Sequence, residues 1–566
     1  MNFKNYTLFL LSVFSIGNVA AQSFEWGGRF GGTGEDVVKS MHVDEQGNVY
    51  TTGYFTDTAD FDITTAGNYE LTASAWYDVF VQKVDNQGNL VWAKQFGGEG
   101  FDLGSAISTD VAGNVLITGV FENAVDFDPD GNGTTLTSNG GQDIFVLKLS
   151  PSGAFIWATS IGSEGYEEAL AIDATSTGNP VLVGHFSETI DFNSGDGVFT
   201  MSSVGGNDTF ILQLKDDGAF QSAHRYGGSG IDIAMDLEVT PNNDMYITGY
   251  FDETADLNPN LGIVSNFTSS ASGFSGYIIH LNSSGELVYA GVTSGGNVQN
   301  NNIAVDLLGN TYVTGYFSGS ANFNHTAGGS ADFTKTSNEF YNGFVTKYNN
   351  AGVIQWVRHL QCDSTLFGFG IAVNSLGHVL SGGYFEGTAN FGAPESPLSL
   401  TESSPNATEA FLNVLDNDGN FVNAFQFGGV DFIDTNTLGI DGADNVYHAA
   451  HFMLTVDINP LPGETLNVSA ADFRDNYIVK IKPANLGFDD QRQINLTVYP
   501  NPASELIFLT ADESYSGENY LIYDMLGKLV TSGKISENQS LSVGNLQSGE
   551  YFLKIGTANA LKILKE

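Results

Sequence analysis

The sequence predicts an all-β chain: a seven-bladed β-propeller of about 66 residues per four-stranded blade, followed by a small immunoglobulin-like β-sandwich. Three observations predict it. An apolar stretch ending Gly-x-Phe recurs at a near-constant interval. Each copy is followed by two more β-type runs separated by Gly turns. The last unit lacks its final run, and the missing copy stands near the start of the chain.

The first motif occurs at Gly53-Tyr54-Phe55, Gly119-Val120-Phe121, Gly184-His185-Phe186, Gly249-Tyr250-Phe251, Gly315-Tyr316-Phe317 and Gly383-Tyr384-Phe385, with Ala450-His451-Phe452 as the seventh. The spacings are 66, 65, 65, 66, 68 and 67 residues. Runs such as DVFVQKVD (78–85) and DIFVLKLS (143–150) follow, then NLVWAKQFGG (89–98) and AFIWATSIGS (154–163). The turns Asp44 to Asn48 and Asp85 to Asn89 carry the Gly that tight hairpins require. After Lys482 the third run is missing, and FEWGGRFGG (24–32) supplies it, Trp26 matching Trp92 and Phe30 matching Phe96. The first strand is thus expected to complete the seventh blade and remove an open edge.

Composition narrows the function. With 20 Lys and Arg against 65 Asp and Glu, the formal net charge is −45. Nucleic-acid binding is excluded as an expectation, because phosphate neutralisation needs basic surface. An anionic membrane would repel the chain, and no segment of 18 apolar residues is present to span one. Cys362 is the only cysteine, so no intrachain disulfide forms, and it reads as structural.

The ends read as export signals. Lys4, an apolar run from Tyr6 to Ile16, and Val19-Ala20-Ala21 make residues 1–21 a signal peptide, with cleavage between Ala21 and Gln22. The propeller then covers 22–485, a polar linker 486–493, and a second domain 494–566.

The GNVYTTGYF (47–55) and GNVLITGVF (113–121) strands resemble the β-propeller repeat family of secreted and surface proteins of bacteria. That family has no common activity. Residues 494–566 carry Tyr499-Pro500-Asn501-Pro502, Tyr523-Asp524-Met525-Leu526-Gly527, Gly549-Glu550-Tyr551 and a tail from Lys562 to Lys565. This stretch resembles the type A C-terminal sorting domain of the type IX secretion system. The resemblance implies the secretion machinery as a partner, export across the outer membrane, and release or tethering at the cell surface.

Candidate sites come from acidic loops. GGTGED (31–36), GGEGFD (97–102) and GGSGID (227–232) end in Asp36, Asp102 and Asp232. Asp60-Phe61-Asp62 has echoes at Asp126, Asp191, Asp256 and Asp457. Both motifs are expected on one face around the channel mouth, as ligand or cation sites. Asp126, Asp128, Asp130 and Asn132 alternate around a Gly turn, as oxygen ligands of Ca²⁺ do. The competing reading is turn capping by Asp and Asn. The GGxGxD copies are too far apart to stack as a calcium nonapeptide array. Trp26, Trp92, Trp157 and Trp356 share one blade position and read as packing residues, whereas Trp76 has no counterpart and reads as a ligand contact. His448 and His451, three apart on a strand, point to opposite faces and do not chelate zinc. No nucleophile or metalloprotease motif appears.

The expectation is an exported, non-catalytic propeller that binds protein or polysaccharide through one acidic face. The alternatives are a glycan-active enzyme on that face and a structural adhesin.

Overall fold

The alternating Val, Ile, Phe and Tyr of each repeat become strands in the structure. It is a computed structural model describing residues 24–482 and 497–565, apart from 65–66, 261–262, 272, 325–332, 338–339, 393–396, 430–432, 462, 511–515, 518, 524–528, 537 and 556–560. The expected signal peptide with its Ala21/Gln22 cleavage point, and the linker 486–493, lie outside the described residues.

Among the described residues, seven antiparallel sheets follow one another in sequence, three of four strands and four in which the same four strands are extended to six by a short hairpin from the next repeat. The first takes Val37–Val43, Val49–Phe55, Asp78–Val84 and Leu90–Phe96 in chain order. The last takes Ile433–Ile440, Val446–Phe452 and Asp475–Ile481, and then Phe24–Gly32 from the other end of the propeller region. Gly27 pairs with Val479 and Phe30 with Asn476, so the expected closure by the first strand is present. The first strand of each sheet packs beside that of the next, and Ile433–Ile440 packs against Val37–Val43. The architecture is propeller-like.

The core lies between consecutive sheets. Leu116, Ile144 and Val146 of the second sheet pack on Leu182, Phe210 and Leu212 of the third. Each buried side chain of this kind contributes roughly 1.5–3 kcal/mol.

Two local constraints explain the repeat residues. Every first strand carries a bulge at one position, between Val38 and Ser40, Gly104 and Ala106, or Ala234 and Asp236, for example. The bulge brings the first strand onto the glycine of Gly-x-Phe: a Cβ on Gly184 would lie 1.9 Å from the Glu168 carbonyl oxygen. That close approach excludes a side chain. At the far end of each sheet, the residue opening the first hairpin binds its own turn, as Asp44, Asp110, Asp306 and Asp441, Thr175 and Thr240, and Asn374 do. Asp110 Oδ1 accepts from the amides of Ala112 and Asn114, each at 2.9 Å.

The recurrent tryptophans join neighbouring sheets. Nε1 of Trp26, Trp92, Trp157 and Trp356 donates to Asn86, Pro151, Asp216 and Asn417 carbonyls at 3.1, 3.2, 2.9 and 3.1 Å. Each ring lies over the turn glycine of the next sheet, Trp157 over Gly218. In the third sheet Ser222 stands at this position, and the corresponding Gly285 has nothing near it.

Residues 497–565 form two further antiparallel sheets, of three and four strands. They share one core that includes Ile507, Ile522, Leu541 and Leu553.

Gly218 and Gly285 both sit at positive φ, 83° and 76°. Alanine at either is expected to cost about 1–2 kcal/mol in backbone strain. Gly218→Ala is expected to lose about 1–3 kcal/mol more by driving a methyl into Trp157. Denaturant unfolding of the two variants checks the difference.

Candidate functional site

The loops between second and third strands and the connections between sheets leave one face, as expected. The Asp36 amide donates to the Arg474 carbonyl at 3.1 Å and the Asp102 amide to Tyr77 at 3.0 Å. Three features meet on this face: the loop acids, a set of aromatic rings, and the mouth of a cavity.

The loop acids are not presented to solvent. Asp36, Asp102 and Asp232 are 1%, 0% and 1% exposed. One oxygen of each accepts a backbone amide four residues back, from Gly32, Gly98 and Gly228 at 2.5, 2.8 and 2.7 Å. Burial pushes their carboxyls up, Asp36 to about 8 and Asp102 and Asp232 to about 7. The expectation of direct ligand contact by these three is therefore corrected. The short connection folds each carboxylate under its own glycine turn.

The Asp-Phe-Asp motifs lie elsewhere than expected. Thr58–Asp60 pairs through Asp60 with Gly31 on the outer strand of the preceding sheet, and Asp256 pairs likewise with Gly227. They sit at the outer edge rather than the channel mouth, because their central residue is drawn into the core. Phe61, Phe127 and Phe192 are buried. In the candidate Ca²⁺ loop, Asp126 Oδ1 accepts the amides of Asp128 and Thr134 at 3.0 and 2.7 Å. Asp128 Oδ2 accepts the Asn132 amide at 3.1 Å, and Asp130 pairs with Lys94. The same turn geometry recurs at Asp60, Asp191 and Asp457, where no such alternating run exists. No group of three or more His, Cys, Asp or Glu able to hold a metal occurs among the described residues.

Trp76 is 64% exposed and stacks on Phe101, centroids 5.7 Å apart. Phe101 meets Tyr77, which meets Tyr54 at 4.7 Å. The Tyr of Gly-Tyr-Phe repeats this contact around the face. Tyr250 meets Phe274 at 5.0 Å; Tyr316 meets Tyr341 and Phe367 at 5.3 and 4.6 Å; Tyr384 meets Phe367 and Phe369 at 5.2 and 5.6 Å. These rings are half-buried, leaving part of each accessible.

The collar leads into a cavity of about 530 Å³ lined by all seven first strands. Lys39, Glu168 and Phe369 belong to both: Lys39 lies over the Tyr54 ring, and Glu168 accepts from Tyr166 at 3.2 Å. Deeper, Asp173 accepts from Ser108 and the Val239 amide, and Asp236 from Asn302 and the Ile303 amide. Burial raises Asp173 to about 6 and Asp236 to about 7. Glu238 is pushed well above the usual carboxylate range by burial and by both of these neighbours. His42, bonded to Thr109 at 3.0 Å, is held neutral by burial, its value lowered to about 4.

Sequence reading missed both the collar and the acids that line the channel. The collar's signal was the Tyr inside Gly-Tyr-Phe, there read only as a repeat marker. The signal of the lining acids was carboxylates within apolar first strands, obscured because the bulge breaks the alternation. Cys362 is buried, its thiol donating to the Glu386 carbonyl at 3.0 Å and pushed up to about 11. His448 and His451 are buried and held neutral by burial, each lowered to about 3.

Residues 497–566 match a family described as a secretion system C-terminal sorting domain. The chain carries a type IX sorting signal and is an exported protein of the cell surface or the extracellular medium. It is 23% identical over 461 residues to an uncharacterized WD repeat-containing protein of Acanthamoeba polyphaga mimivirus, covering 70% of this chain and 32% of that one. The chain thus spans about a third of that relative's length. A protein of unknown function from Bacteroides caccae aligns at 10% identity and a TM-score of 0.27, over 57% of this chain and 81% of its own. PorZ, a surface component of the type IX secretion system of Porphyromonas gingivalis, aligns at 11% and 0.15, over 94% of this chain and 100% of its own. These likenesses are too distant to assign an activity.

Asp126→Ala is expected to cost about 1–3 kcal/mol, because two loop amides lose their acceptor. The loss should be the same with calcium and with chelator in thermal unfolding. A loss seen only with calcium would make the loop a metal site.

Proposed function

We propose that this exported chain is a closed seven-bladed propeller with an immunoglobulin-like sorting sandwich, and that it binds a neutral or amino-sugar-containing polysaccharide at the aromatic collar without turning it over. The observation that carries the reading is the repeated ring pair at the channel mouth. Half-exposed rings offer flat apolar faces to sugar rings. Glu35, Glu168 and Gln299 stand beside Tyr54, Tyr166 and Tyr316 as acceptors for sugar hydroxyls.

The net charge of −45 disfavours acidic glycans. The non-catalytic reading is supported by the engagement of Glu168, Asp173 and Asp236 in hydrogen bonds to the scaffold. No calcium is required by this reading, since the acidic loops use their oxygens on their own amides.

Isothermal titration with soluble neutral and amino-sugar oligosaccharides tests the proposal. Binding is expected, and Tyr316→Ala or Trp76→Ala should weaken it about tenfold, equivalent to about 1.4 kcal/mol. Trp76→Ala should leave unfolding within about 0.5 kcal/mol of the parent. New reducing ends during incubation would favour the enzyme reading. Binding to no glycan, with capture of a surface protein instead, would favour the adhesin.

A further inference from the structure

Carboxylates meet carboxylates at four of the seven junctions between sheets. A residue at or next to the start of each first strand lies against the third-strand residue that pairs with the Phe of Gly-x-Phe in the preceding sheet. The register is set by backbone bonds from Asp36 to Arg474, Asp102 to Tyr77, Asp232 to Asn207, Val298 to Phe274 and Leu366 to Tyr341. This places Asp36 with Asp475, Asp102 with Asp78 and Asp232 with Asp208. Glu167 and Asp143 occupy the same two positions at a fourth junction. At the other junctions an apolar residue takes the first position, Val298 with Ser275, Leu366 with Asn342 and Ile433 with Glu409. Acid stands against acid, and where one position is apolar its partner is neutral in two cases of three.

The paired acids are buried, at 1% exposure or less. They flank one glycine: a Cβ on Gly31 would lie 2.4 Å from Asp475 Oδ1 and 2.9 Å from Asp36 Oδ2, and one on Gly227 would touch both Asp232 and Asp208. One oxygen on each of Asp36, Asp78, Asp208, Asp232 and Asp475 accepts no hydrogen bond. A buried acceptor left without a donor is costly, and two buried carboxylates side by side cost more. Both costs disappear if one carboxyl of a pair carries a proton and donates it to the other.

We propose that the three pairs with an orphaned oxygen, Asp36 with Asp475, Asp102 with Asp78 and Asp232 with Asp208, each share one proton, so that these junctions are tighter in acid than in alkali. The other groups facing the pairs fit a proton better than a metal. Arg29 binds Asp475 and Arg225 binds Asp208, Gln95 donates to Asp78, and backbone amides point at Asp36, Asp102, Glu167 and Asp232. Those donors leave little of the oxygen shell a divalent ion needs. Glu122, Glu188 and Asp252 stand beside the pairs and add negative charge, and Tyr226 and Tyr277 lie close to Asp232.

The sign follows from linkage. The folded carboxyls hold their proton more tightly than the unfolded ones, Asp36 to about 8 and Asp102 and Asp232 to about 7. Their stabilisation is fully present below the unfolded carboxylate value and is lost as pH rises through the folded values, from about 7 to about 8. The buried histidines act the other way. His42, His448 and His451 are lowered, and their contribution is lost as pH falls below the unfolded value of 6.5. The comparison must therefore be with a variant that differs only at the pairs.

The triple variant Asp36→Asn, Asp102→Asn, Asp232→Asn keeps the shape and supplies a permanent N–H donor. In the full chain, its Tm should exceed the parent's by about 5 °C or more near pH 9, and the gap should close near pH 5. Parallel Tm curves for parent and variant overturn the proposal. So does calcium raising the parent's Tm near pH 8 while leaving the variant's unchanged, which would put a cation where the proton is placed. Infrared difference spectra, parent minus the single variant Asp102→Asn or Asp232→Asn, cancel the buried cavity acids Asp173, Asp236 and Glu238, which both proteins share. The difference should hold a carboxylic-acid C=O band near pH 6 that is gone near pH 9, and its absence near pH 6 overturns the proposal.

Discussion

The pairing of Phe24–Gly32 with Asp475–Ile481 is the interaction on which the rest of the propeller-like region depends. Six sheets are made of neighbouring chain, but the seventh is three strands until the first strand arrives. Without it, the outer edge of Asp475–Ile481 would be an unpaired template for association. Closure over such a long loop costs entropy that grows only slowly with length. The returns are large: the Trp26 indole reaches Asn86 in the first sheet, and Phe30 enters the core with Phe61 and Phe80.

The same closure fixes the site. A propeller-like arrangement brings equivalent strand ends to one mouth, so a residue useful once is presented several times. Tyr54, Tyr250, Tyr316 and Tyr384 are one position copied, and together they make a collar no single sheet could offer. Copying also multiplies burdens. An acid buried at one junction is buried at four, which is why the protonation of these groups bears on the ring as a whole.

Much of the fold was legible because it is periodic. The Gly-x-Phe interval, the Asp-x-x-Gly-Asn turns and the displaced FEWGGRFGG copy each carry topology in the residue order. The sorting domain was legible from motifs. The site was less so. Asp36, Asp102 and Asp232 look like surface acids because Gly-rich loops usually are exposed, yet a four-residue turn folds them inward. Asp126 and Asp128 alternate as metal ligands would, but alternation also serves amides of the loop itself. The collar depends on contacts between the second strand of one sheet and residues far along the chain, and periodicity alone does not report which way a repeated Tyr faces.

The most direct test of the account is amide hydrogen exchange across residues 24–32 in the folded, exported protein. The account requires these amides to be as protected as those of Asp475–Ile481, and to open with them as one cooperative unit. If residues 24–32 exchange as free chain while Asp475–Ile481 remains protected, the ring is open and the account is wrong at its foundation.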